Sequence, residues 1–264
     1  MDRESFPRRH PGEFVTLCVV VFLASEVVGG GIARIGLEPP LAPLVAKLGA
    51  KVGACAAMLL LLALFRCWRM AGFTPPREWR RLHLALVPAS LILIRVAWPE
   101  GPHESEPVHA FLNGSAMLLT GFAEEVAFRG LILASLASPV RPHPRRAVVE
   151  SSLLFAAVHA ASVLHRPMAD ALFQVAYAFS FGLSFAAVRL RTGTIWPAIA
   201  IHGLYDVVSS RWLAVSGASL VVLALLFALL GVWGWWQARV HWAESGSTRP
   251  STDPADRLET VEKS

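Results

Sequence analysis

The chain has 264 residues, 55% of them hydrophobic and 16% charged, against roughly 45–50% and about 25% in an ordinary soluble domain. With a mean hydropathy of +0.51, this composition argues against a soluble enzyme, a disulfide scaffold or a disordered chain, none of which keeps so much apolar surface from water. The excess of 24 Lys and Arg over 19 Asp and Glu gives a net charge of +5. It forms no basic stripe with interleaved aromatics, which excludes a nucleic-acid partner.

Hydropathy predicts an all-α polytopic membrane bundle of about eight transmembrane helices, since each crossing needs about 20 apolar residues. In chain order the segments are Phe14–Ile35, Leu44–Phe65, Leu82–Trp98, Val108–Leu136, Ala147–Leu164, Ala171–Leu190, Thr194–Ser210 and Ala214–Trp236. Proline- and glycine-bearing separators mark the loops: Glu38-Pro39-Pro40, Thr74-Pro75-Pro76, Pro99 to Pro107, Pro139 to Pro144, Arg166-Pro167 and Arg191-Thr192-Gly193. The expected organisation is a cytoplasmic head over 1–13, N-terminal transmembrane helices over 14–107 and a membrane core over 108–212. A last transmembrane helix over 213–236 and a disordered polar tail over 237–264 complete it. No convincing small-residue cleavage site follows the first apolar run, so it reads as an uncleaved span. Cys18, Cys55 and Cys67 are odd in number and lack Cys-x-x-Cys spacing, so they read as small membrane hydrophobes.

Basic residues set the orientation. Arg3, Arg8 and Arg9 precede the first segment, Arg66, Arg69, Arg77, Arg80 and Arg81 follow the second, Arg141, Arg145 and Arg146 follow the fourth, and Arg189 and Arg191 close the sixth. The opposite side offers little beyond Arg166 and Arg211, with acidic Glu100, Glu104 and Glu106 between the third and fourth segments. Both termini are therefore expected to be cytoplasmic. Trp79, Trp98, Trp212, Trp233, Trp235 and Trp236 lie near segment ends, as an interfacial belt would, and membrane lipids are the first expected partner.

Ionisable groups deep in spans are costly unless paired or functional. Lys47, Lys51, Glu150 and Arg189 lie near segment ends and Arg95 lies close to Trp98, so all five are expected to snorkel or face headgroups. Glu26, beside Gly29-Gly30-Gly31, reads as a packing or polar-network residue. The fourth segment carries Glu124, Glu125 and Arg129 in GFAEEVAFRG. Successive helical positions are about 100° apart, so the carboxylates point differently; Glu125 and Arg129 can pair at i, i+4, leaving Glu124 without a local partner. Such a desolvated carboxylate can take a proton from water. By itself the string also fits a helix-packing ion-pair cluster.

Two histidines in other segments add to it. Phe155 precedes His159 by one turn and can wall its pocket, while His202 and Asp206 share a face, so that Asp206 can orient the imidazole or a water. Gly203 and Pro197 point to close packing and a kink in the seventh segment.

In order and spacing, GFAEEVAFRG, Phe155-Ala-Ala-Val-His159 and His202-Gly-Leu-Tyr-Asp206 resemble the EExxxR, FxxxH and HxxxN/D motifs of the CAAX protease and bacteriocin-processing (CPBP) family, over about Leu112 to Ser209. These are intramembrane endopeptidases, including the eukaryotic enzyme that trims prenylated CAAX proteins. The resemblance implies that Glu124 activates water, that His159 helps hold that water or the scissile carbonyl, and that His202 with Asp206 stabilises the oxyanion. Glu125, Arg129 and Phe155 would support them. It implies a membrane-associated or C-terminally anchored peptide or protein as substrate and, by composition, a bacterial inner membrane as location. The family is described both as metal-independent glutamate proteases and as metalloproteases. No cofactor is expected on the first view, which is favoured here; zinc on Glu124, His159 and His202 is the alternative. A transporter with proton-relaying Glu and His residues, or an inert immunity or scaffold protein, is the competing class.

Overall fold

The computed structural model describes residues 5–33, 35, 41–97, 106–137, 144–164, 167–210 and 217–247. Among them every regular element is helical. A short α1 (Phe6–Arg9) leads into α2 (Pro11–Ala33) and α3 (Leu41–Leu64), then α4 (Trp68–Ala71), a 3₁₀ segment (Trp79–Ala85) and α5 (Leu86–Ala97). The second half holds α6 (Pro107–Glu125), a π-helical segment (Val126–Ile132) running into α7 (Leu133–Leu136), α8 (Pro144–His159) with a 3₁₀ end (Ala160–Leu164), α9 (Met168–Thr192), α10 (Trp196–Ser210) and α11 (Gly217–Ser247).

The protein is an integral membrane protein. Among the described residues, five helical stretches are long and apolar enough to cross a bilayer: Pro11–Ala33, Leu41–Leu64, Arg145–Leu164, Met168–Thr192 and Val221–Val240. The other three predicted segments are also helical, but α5 has 12 residues and α10 has 15, roughly 18 and 22 Å at 1.5 Å per residue, short of a hydrocarbon core of about 30 Å. Lipid explains the outer surface. Val27, Leu93, Leu172, Leu225 and Val232 are exposed on four different helices, a distribution that water would punish and acyl chains accept.

Helix ends follow local chemistry. Pro107 opens α6 where its missing N–H costs nothing, and the Glu106 carboxylate caps the turn by accepting from the His109 N–H at 2.6 Å. Gly193, at φ +77°, turns the chain from α9 into α10 while its N–H donates to the Arg189 carbonyl. Beyond Trp236, α11 runs on to Ser247; residues 248–264 lie outside the described residues, as do Arg3, Glu38–Pro40, Trp98, Glu100, Glu104, Arg141, Arg166, Arg211 and Trp212.

Three basic residues correct the snorkelling expectation. Arg189 is buried and donates to the carbonyls of Met70 and Ala71, at 2.8 Å and 3.3 Å, so it satisfies the end of α4 instead of reaching headgroups. Arg95 is likewise buried. Lys51 turns inward, as described below. Near the chain start, Phe6 stacks on Phe65 and Ser135 Oγ donates to the Pro7 carbonyl, gathering α1, the end of α3 and α7 at one end of the bundle. Nearby, Arg77 N–H donates to the Thr192 carbonyl. The three cysteines are buried and free.

Candidate active site

The site is assembled where α6 packs on α10 and the end of α8 brings His159 towards Glu124. A methyl group on Gly121 would stand 2.4 Å from the Gly203 nitrogen and 2.6 Å from its Cα, so α6 and α10 touch backbone to backbone, as small residues allow in membranes. That contact carries Glu124 and Glu125, one turn beyond Gly121, up against His202. Gly121→Val is expected to abolish activity and lower the thermal transition in detergent, because overpacking costs about 1–3 kcal/mol and here the obstacle is backbone. Gly114→Ala on the same helix meets open space and should change neither reading.

Glu125 is fully buried. Its Oε1 accepts the Nδ1–H of His202 at 2.8 Å and lies 3.0 Å from Arg129 Nη1. The π-helical segment that follows Glu125 holds Arg129 inside the core; such turns recur at functional sites. The guanidinium sits over the Phe155 ring, 4.1 Å from its centre, a cation–π contact that replaces solvation for a buried charge. Phe155 also packs edge-on against His159, ring centres 4.7 Å apart, and against His202 at 5.9 Å. It walls both imidazoles.

His159 Nδ1 lies 2.7 Å from the Phe155 carbonyl. A carbonyl only accepts, so Nδ1 carries a proton and Nε2 is the edge turned to the site. Nε2 faces Glu124 Oε2 at 3.9 Å, and His202 Nε2 faces the same oxygen at 3.8 Å. These separations are too long for hydrogen bonds but short enough for one water to bridge. Among the described residues, no protein group hydrogen-bonds Glu124 Oε2, which is buried. Asp206 Oδ2 stands 3.5 Å from His202 Nε2.

All seven sequence-predicted residues therefore lie in one contact network. Asp206, expected to orient the imidazole or a water, stands on the Nε2 side of His202, and Glu125, 77 residues away in the chain, holds the Nδ1 side. One residue at the site was misplaced by the sequence, Lys51, and its partner is Glu26, expected as a packing or polar-network residue. Lys51 Nζ lies 2.5 Å from Glu26 Oε1 and 4.0 Å from Glu124 Oε1. The available signal was Glu26 itself, an acid deep in a span that demands a cation.

No curated protein matches the chain. Residues 107–208 match the family model described as Rce1-like, type II CAAX prenyl endopeptidase Rce1-like, over the stretch that carries the three motifs.

Proposed function

We propose that the protein is an intramembrane endopeptidase that hydrolyses a peptide bond of a membrane-associated or C-terminally anchored protein substrate, by a glutamate mechanism. The observation that carries this reading is the position of Glu124 Oε2, buried and 3.8–3.9 Å from two imidazole nitrogens. A water among the three loses a proton to Glu124 while its remaining O–H donates a hydrogen bond to His159 Nε2. The resulting hydroxide attacks the scissile carbonyl. With both ring nitrogens protonated, His202 donates Nδ1–H to Glu125 and Nε2–H to the oxyanion, its charge flanked by Glu125 and Asp206. Glu124 then returns its proton to the departing amine. None of the three motif strings contains a serine or cysteine, so no acyl-enzyme is invoked.

The donor spacing supports the glutamate reading over zinc. Two ligand atoms about 2.0–2.2 Å from a tetrahedral zinc stand roughly 3.3–3.5 Å apart, closer than the 3.8 and 3.9 Å seen here. Among the described residues no group of three or more His, Cys, Asp or Glu is arranged to hold a metal. The Lys51 ammonium 4.0 Å from Glu124 also opposes a second cation.

The location we infer is a bacterial inner membrane with both termini cytoplasmic, supported by the Arg-rich stretches after the second, fourth and sixth predicted segments. The test compares membrane and secreted proteins of cells carrying the wild type or Glu124→Ala. Shortened protein species present only with the wild type are expected, and identical profiles would refute the reading. On the purified enzyme, a chelator is expected to leave the rate unchanged; inhibition reversed by added zinc would refute the glutamate mechanism.

A further inference from the structure

The helix pair α2–α3 lies outside residues 107–208, yet it reaches the candidate active site. Ser25, Gly29 and Ala33 recur every fourth residue on α2, facing Gly49 and Gly53 on α3. A methyl on Gly29 would stand 2.5 Å from the Gly49 carbonyl oxygen, and one on Gly53 2.8 Å from that of Ser25. Small residues thus let the two backbones meet, as in other membrane helix pairs. That approach sets Glu26 of α2 against Lys51 of α3, Oε1 to Nζ 2.5 Å, with the Lys51 side chain only 14% exposed. A lysine turned into a bundle is kept by its partners, and here it has one on either side.

The two oxygens of Glu124 consequently have different neighbours. Oε1 faces the Lys51 ammonium at 4.0 Å, whereas Oε2 faces His159 and His202. The terminal carboxylate torsion is broad and two-fold, so nothing in a glutamate by itself aims it. We propose that Lys51, set by Glu26, is a positioning residue that holds the Glu124 carboxylate so that its other edge faces the attacking water. This rests on the reading of Glu124 as the base.

The test uses the full chain in liposomes with a membrane-anchored peptide substrate. Lys51→Met is expected to lower kcat about 10- to 100-fold with KM within about threefold, the size of effect that misplacing a catalytic group by about 1 Å produces. Lys51→Arg keeps the cation and should recover the rate to within about threefold. Because Lys51→Met strands the Glu26 charge, the pair Lys51→Met with Glu26→Gln serves as a second variant. It should unfold near the wild-type temperature and remain slow. A wild-type kcat in either Met variant overturns the proposal.

A substrate-free arm separates this from the base assignment. Labelling of Glu124 by dicyclohexylcarbodiimide, read by mass spectrometry and absent in Glu124→Gln, should be faster in Lys51→Met than in wild type. If Glu124→Gln hydrolyses peptide at the wild-type rate, the base assignment fails. The labelling then decides the Lys51 contact: faster labelling in Lys51→Met supports it, and an unchanged rate overturns it.

Discussion

Glu124→Gln is expected to reduce peptide hydrolysis about 10²- to 10⁴-fold, the range that a positioned general base supplies, without altering the unfolding temperature appreciably. The amide matches the carboxylate in size, so α6 should pack as before, but it cannot take a proton from water. Lys51 keeps Glu26 as its partner at 2.5 Å. His159→Ala and His202→Ala should each approach the same residual rate, and combining them with Glu124→Gln should add little, since groups acting on one water fail together. The measurement is kcat on a membrane-anchored peptide, alongside thermal unfolding in detergent. Wild-type turnover by Glu124→Gln would leave the two histidines facing a carboxylate with no chemical task.

The residues of this site were legible because lipid makes charge conspicuous. Glu124, His159 and His202 stand inside apolar segments, where hydropathy treats each as an anomaly. Pairing within one helix was legible too: Glu125 and Arg129 are i, i+4 and lie 3.0 Å apart. Contacts between helices were not. Glu125 reaches His202 because Gly121 and Gly203 allow α6 and α10 to touch, and no one-dimensional pattern states which glycine meets which. Lys51 was misread for a related reason. A lysine near the start of an apolar run can extend to the headgroups or turn inward, and only the α2–α3 crossing, which supplies Glu26, decides. Arg189 resolved the same ambiguity inward through the open carbonyls of Met70 and Ala71.

The segment count shows the limit of length arguments. All eight predicted apolar segments are helical over most of their described residues, but α5 and α10 are short. An apolar run reports burial from water equally well when its neighbours are lipid or other helices. In α10, His202 and Gly203 are buried against the bundle while Leu204 is exposed, so one short helix serves both surroundings and carries a histidine into the interior.

Replacing Glu125 should separate folding from chemistry. Glu125→Leu is expected to destabilise the protein by about 3–5 kcal/mol, because Arg129 stays buried with its charge uncompensated. The Phe155 ring at 4.1 Å offsets only about 2 kcal/mol of such a loss even in a desolvated setting. Adding Arg129→Met removes the stranded charge, and the double variant should recover most of the stability, as buried ion pairs replaced whole by apolar side chains commonly do. Activity should not return with it. Glu125 also accepts the His202 Nδ1–H at 2.8 Å, and without that acceptor the imidazole loses what fixes its orientation and balances its charge in the proposed role at the oxyanion. The paired readout is thermal unfolding in detergent and kcat on the same preparations. A double variant that regains both stability and turnover would reduce Glu125 to a counterion for Arg129. One that regains stability alone assigns it to His202 as well, and makes the buried pair the means by which α6 presents a carboxylate to α10.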